Sequence, residues 1–183
     1  ISAACERVKE VIKKNKSNPF FLYLAHFAPH TPLQATVEDY QAVGPIFPHR
    51  KRVYAAMIKA LDRSVENLMQ TLKSEGLDDN TIIIFTSDNG GMFNLGGKQA
   101  WHKGHRQNGN LLGFKFGAWE GGHRVPFLAR WPGRIKAGSS SNHLLSSLDL
   151  LASFAYLLCI HSIISFSTHP VSYTHLRAHE TSL

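Results

Sequence analysis

Two apolar runs in this chain end abruptly in groups that can do chemistry. TIIIFTSDNGG, residues 81–91, passes from near-pure hydrocarbon into Asp88, Asn89, Gly90 and Gly91, and FFLYLAHFAPHTPLQ, residues 20–34, passes into His26 and His30. A carboxylate beside an amide carbonyl supplies hard oxygen donors, which suit calcium or magnesium better than zinc. The adjoining glycines let the backbone turn sharply or come close to a ligand. Taken alone, SDNGG is equally good turn chemistry. Ser87 has no base beside it in sequence, so a backbone hydrogen bond is expected of its hydroxyl rather than attack. Further on, GFKFGAWEGGHRVPFLARWPG, residues 113–133, sets Lys115 among glycines ahead of Trp119, Glu120, Gly121 and Gly122. A loop rich in glycine and charge just before a strand is where binding and catalytic groups concentrate. His102, His105 and Arg106 in WHKGHRQNG add cationic groups between these two segments, as substrate contacts or as a solvated loop.

The elements that must position these groups are legible in outline. Ala4, Val8, Val11 and Ile12 recur at helical spacing and predict an amphipathic helix ending near Asn15. Pro19 opens FFLYLA, a continuous apolar run of strand length, and the prolines of HFAPHTPLQ then forbid regular structure. Val53, Met57, Ala60, Leu61, Val65, Leu68 and Leu72 mark one face of a long helix over about 50–75, with Gly76 placed to end it. TIIIFT is the second apolar strand. Neither run alternates polar with apolar, the pattern of a central strand covered on both sides. Helix, strand, loop, long helix, strand is the order of an α/β layered fold, in which ligands bind beyond the carboxyl ends of the strands.

The 183 residues, 43% of them hydrophobic and 18% charged, describe a globular chain rather than a disordered polymer. Lys and Arg exceed Asp and Glu by 20 to 13, a formal charge of +7 that favours anionic partners. Its clusters, such as HRKR at 49–52, read as solvated helix ends. Cys5 and Cys159 lie far apart without CxxC spacing, so neither a disulfide framework nor a zinc site is indicated. Asp149 and His161 interrupt the apolar stretch 144–166, leaving it too short to span a membrane.

Taken together and in order, FFLYLAHFAPHTPLQ (20–34), LDRSVENLMQTLKSEGLDDNTIIIFTSDNGG (61–91), GFKFGAWEGGHRVPFLARWPGRI (113–135) and SSLDLLASFAYLL (146–158) resemble the middle and later part of a formylglycine-dependent sulfatase of the alkaline phosphatase superfamily. The resemblance implies a central mixed, largely parallel sheet flanked by helices. It implies that Asp88 and Asn89 are the late pair of a calcium (or magnesium) site, that His30 hydrogen-bonds the sulfate, and that Lys115 contacts its oxygens and helps neutralise the leaving group. Substrates of the family are sulfated small molecules or carbohydrates, not nucleic acid, and members are secreted, lysosomal or periplasmic.

The same resemblance exposes what is missing. The family's nucleophile is a formylglycine made from a C-x-P-S-R type motif, and it attacks sulfur, releases the alcohol and then eliminates sulfate. Cys5 stands in SAACERVKE, without the Pro and Arg, and is expected to be a packed thiol. The early aspartate pair is absent as well. Residues 1–160 are therefore expected to be a partial sulfatase catalytic domain lacking its N-terminal part, inactive by itself. Residues 161–183 are expected to stand outside the family, their end, VSYTHLRAHET, resembling translated sequencing-adapter sequence. Glu120 is expected to order its loop, and His26 and His123 to be packed or exposed without a role in the reaction. Two other functions remain open: a metal-dependent phosphoesterase or phosphonate hydrolase of the same superfamily, and a non-catalytic module binding acidic polysaccharide.

Overall fold

The computed structural model describes residues 2–94 and 96–158. They form two compact units that divide between Trp131 and Pro132.

The first unit is organised by two helices, α1 (Ser2–Asn15) and α3 (His49–Ser74). Cys5 meets Ser64 near one end and Lys16 meets Glu75 near the other, both pairs 59 residues apart, so the helices run side by side in the same direction. Their seam is a small apolar core of Val8, Ile12 and Leu72, with Leu68 and Leu77 packed against it. Burial of each such aliphatic side chain contributes roughly 1.5–3 kcal/mol. α3 ends as its sequence predicts. Gly76 adopts φ +71°, its N–H bonds to the Lys73 carbonyl, and the Leu77 N–H bonds to the Leu72 carbonyl, the 5→2 and 6→1 pairing of a Schellman cap.

Between the two helices the chain must travel back to the start of the seam. Residues 19–27 make that return in extended form, with Phe20, Leu22 and Leu24 against the helical core. The opposite side carries Phe21, Tyr23 and Phe27, which are 75%, 81% and 61% exposed. The sequence predicts a central strand covered on both sides; instead one side packs on the helices, the other is exposed, and the segment makes no ladder among the described residues. A strand needs a neighbour to pair its N–H and C=O groups, and none among the described residues pairs with it.

α2 (Val37–Ala42) has no apolar period to announce it. It is started by Thr36, whose hydroxyl accepts from the Asp39 N–H at 3.1 Å and donates to the Asp39 carboxylate at 2.9 Å. Cations of α3 then hold it. Arg63 forks onto the buried Asp39, and Arg52 donates to the Tyr40 carbonyl at 2.8 Å while lying 3.9 Å from the centre of its ring. Part of the basic cluster read as a solvated helix end is therefore packing material.

A 3-10 turn, Asp78–Asn80, leads into β1 (Ile83–Thr86), and Ile83 packs on the helical core. β1 pairs antiparallel with β2 (Phe127–Arg130), Ile83 opposite Arg130 and Thr86 opposite Phe127. Arg130 also forks onto Asp78 at 2.7 and 2.8 Å, tying β2 to the turn before β1. Between the strands lie two short helices, α4 (Gly97–His102) and α5 (Glu120–His123). In the second unit the helix α6 (Asp149–Leu157) begins where the Ser146 N–H bonds to the Asp149 carboxylate at 2.8 Å. The tail after 158, including the expected boundary at 160, lies outside the described residues.

Candidate functional site

The site is assembled where β1 runs out. Beyond Thr86 the Ser87 hydroxyl donates to the Asn89 carbonyl at 3.0 Å, closing a tight tip, the backbone bond expected of it. The Asp88 carboxylate is exposed and has no hydrogen-bond or ion-pair partner among the described residues. Asn89 uses its amide N–H on the Gly90 carbonyl at 3.0 Å, which leaves its side-chain oxygen unengaged. Two hard oxygen donors thus stand side by side without a competing cation.

The glycine-rich loop is bonded directly onto this tip. The Gly90 N–H donates to the Gly122 carbonyl at 2.9 Å, and the Lys115 N–H donates to the Gly91 carbonyl at 2.9 Å. The approach explains the glycine at 90, because a Cβ there would run into the Gly121 carbonyl. Lys115 sits between two residues of unusual backbone: Gly113 at φ +90° and Phe116 at φ +74°. Phe116 is a bulky residue in the left-handed region, a local strain of about 1–2 kcal/mol. Its ring lies 5.4 Å from the Lys115 ammonium and is otherwise solvent-facing.

A third segment closes the assembly. The Asn108 side-chain oxygen accepts from the Gly91 N–H at 2.6 Å, and its amide donates to the Gly113 carbonyl at 3.0 Å. One side chain therefore staples the Asp88 tip to the Lys115 loop. Asn108 is not announced by the sequence, since a single Asn in a polar loop carries no period and no motif. Its only signal is position, midway between two glycine-rich segments.

The remaining candidates are placed separately. His30 is exposed, its ring 5.8 Å from Phe27 and its Nδ1 2.8 Å from the Thr31 carbonyl. A carbonyl only accepts, so Nδ1 carries a proton and Nε2 is the nitrogen left for a ligand. No hydrogen bond among the described residues joins His30 to Asp88 or Lys115. His105 and Arg106 are exposed on the turn after α4, with Arg106 stacked on Trp101 at 3.9 Å. Glu120 opens α5 and pairs with Arg124 at 3.2 Å, a loop-ordering contact. His26 shares a buried network instead: Ser64 Oγ lies 3.1 Å from its Nε2 and accepts from the Cys5 thiol at 3.1 Å. Burial holds the His26 imidazole below its ordinary pKa. Cys5 is thus packed.

For a divalent cation, Asp88 and Asn89 fit as part of a coordination shell. The described residues gather no cluster of three or more His, Cys, Asp or Glu side chains around them.

A protein-family model, Sulfatase, matches residues 3–160. The chain belongs to the sulfatase family. Among characterised sulfatases it is 36% identical over 157 residues to the N-acetylgalactosamine-6-O-sulfatase of Bacteroides thetaiotaomicron, covering 83% of this chain and 29% of that one. It is 38% identical over 145 residues to arylsulfatase J of Mus musculus, covering 79% and 23%. Among solved structures, Ps i-CgsB in complex with k-i-k-neocarrahexaose matches with a TM-score of 0.74 at 42% identity, covering 85% of this chain and 33% of that one. A Bacteroides thetaiotaomicron sulfatase of glycosaminoglycan metabolism matches with a TM-score of 0.72 at 34% identity, covering 84% and 31%. The chain thus spans a third or less of the length of these relatives. The likeness places the chain in the α/β fold of the sulfatases, of which the β1–β2 ladder is the paired part here. No helix among the described residues is long and apolar enough to cross a membrane.

Proposed function

We propose that this chain is the anion-binding and late metal-binding part of a sulfate-ester hydrolase acting on sulfated carbohydrate. The observation that carries the proposal is the joining of the Asp88–Asn89 tip to the Lys115 turn through Gly91 and Asn108. Such a joint fixes the backbone that carries a pair of oxygen donors to the backbone that carries a primary ammonium.

Transfer of a sulfuryl group places negative charge on its oxygens and on the departing alkoxide, and preorganised cationic donors stabilise that charge most where water is excluded. Lys115 acts as a compact positive charge with rotatable donors, suited to a sulfate oxygen and the leaving oxygen. His30 offers its Nε2 edge to the sulfate, its Nδ1–H being held by the Thr31 carbonyl. Asp88 and the Asn89 oxygen would hold calcium or magnesium, with the other ligands coming from outside the described residues. The cation supplies charge neutralisation at the sulfate, and a formylglycine from a segment other than residues 1–183 supplies the nucleophile. The sugar preference rests on what the relatives are named for: N-acetylgalactosamine 6-sulfate in one and a carrageenan oligosaccharide bound in another.

Recovering the reading frame on both sides of residues 3–160 and assaying its product for sulfate release from N-acetylgalactosamine 6-sulfate tests this reading. Replacing Lys115 with Ala should lower kcat/KM by about 10²-fold or more. Hydrolysis that is indifferent to Lys115 and His30 would refute it, as would a frame without a formylglycine motif.

A further inference from the structure

From Asn89 to Trp119 the chain carries no Asp or Glu, while it carries Lys98, Lys103, Arg106 and Lys115 with His102 and His105. Lys115 belongs to the reaction site. The others lie on α4 and the turn that follows it, and none of them forms an ion pair with a carboxylate among the described residues. The turn itself is built. The Lys103 N–H bonds to the Gln99 carbonyl, the Gly104 N–H to the Trp101 carbonyl at 3.0 Å and the His105 N–H to the Ala100 carbonyl at 3.0 Å, with Gly104 at φ +88°. This wrap carries Arg106 back over Trp101, its guanidinium carbon 3.9 Å from the indole centre. Stacking occupies the face of the guanidinium and leaves its N–H edge, a planar fork matched to a sulfate or carboxylate. The base of the turn is anchored at the reaction site, because Asn108, two residues past Arg106, bonds to Gly91.

We infer that Arg106, presented by Trp101 and accompanied on α4 and its following turn by His102, Lys103 and His105, is a second anion subsite. It takes a sulfate or carboxylate on a sugar neighbouring the one that carries the scissile ester. This rests on the reading of the Asp88–Lys115 region as the reaction site. It makes the ligand a polyanionic carbohydrate chain rather than a monosulfated small molecule. A nucleic acid fits less well, since the one exposed indole of the turn already carries Arg106 over its ring.

The test compares binding of a chondroitin 6-sulfate hexasaccharide and of N-acetylgalactosamine 6-sulfate to the full chain by NMR titration, with circular dichroism confirming the fold of each variant. Arg106→Ala should weaken the hexasaccharide about tenfold and leave the monosaccharide unchanged. Arg106→Lys, which keeps the charge but loses the stacked fork, should recover only part of that loss. Equal binding of both probes to the wild type, a hexasaccharide indifferent to Arg106→Ala, or displacement of the hexasaccharide by an equal concentration of duplex DNA would each overturn the inference. Lys115→Ala separates it from the underlying reading by weakening both probes. If Lys115→Ala changes neither probe while Arg106→Ala still acts on the hexasaccharide, the reaction-site reading fails and the subsite assignment falls with it.

Discussion

The helical seam and the glycine knot hold themselves together in opposite ways. Along α1 and α3 the contacts are side chains meeting side chains: Val8, Ile12 and Leu72 in the core, the Cys5–Ser64–His26 chain at one end, and Arg63 forked onto Asp39 on the flank. Around Asp88 and Lys115 the hydrogen bonds between segments are main chain to main chain, supplemented by the Asn108 side chain and by the Phe93 ring against Phe114. The first arrangement tolerates a shift of a few tenths of an ångström, since rotamers can adjust. The second cannot, because peptide groups in contact have nothing to rotate. A site of the kind proposed, with an ammonium and an oxygen-donor pair in register, gains from the less adjustable kind.

Substitutions can break the two regions independently. The largest effect is expected for Leu72→Ala, which empties a fully buried position of the seam and should cost about 3–4 kcal/mol in denaturant unfolding. Gly90→Ala drives a methyl into the Gly121 carbonyl. It should cost roughly 2 kcal/mol and, in hydrogen exchange, loosen the amides of Gly91 and Lys115 while those of α1 stay protected. Equal loosening of both regions would erase the distinction drawn here.

Acid should act at Asp39, on the flank of the seam. The Arg63 guanidinium bonded to Asp39 holds that carboxyl below its ordinary pKa, with a smaller opposing push from burial. A carboxyl lowered in the folded state contributes stability that is complete above its unfolded pKa and is lost as pH falls through the lowered folded value. Stability should therefore drop by about 1–2 kcal/mol on acidification through that window, Arg63 being partly exposed, and Asp39→Asn should flatten the acid limb of the curve. The smallest effect is expected at Phe116→Gly, where relief of the left-handed strain is partly offset by the entropy of glycine, for a net gain of about 0.5 kcal/mol. A measurable loss there would mean that the Phe116 ring, rather than its backbone, matters to Lys115.

The same contrast governs what the sequence discloses. α1 and α3 are written in apolar period and in Gly76, and β1 in an unbroken Ile run, so these elements can be read directly. The run 20–25 has every mark of a central strand, yet it has no ladder among the described residues, because pairing depends on a neighbour that sequence does not name. α2 is missed because its signal is a single Thr36–Asp39 cap. In the candidate site, residue type and resemblance single out Asp88, Asn89 and Lys115, and the structure joins the segments that carry them. Asn108 is not, since its role exists only after the loops on either side have folded around it.

The most direct test of the account is a double-substitution cycle on kcat/KM for sulfate-ester hydrolysis in the protein expressed from the complete reading frame, using Asp88→Ala, Lys115→Ala and the pair. If the tip and the loop form one site, each single change should cost about 10²-fold or more, and the pair should cost far less than the product of the two. Two losses that multiply cleanly, or a harmless change at either position, would contradict it.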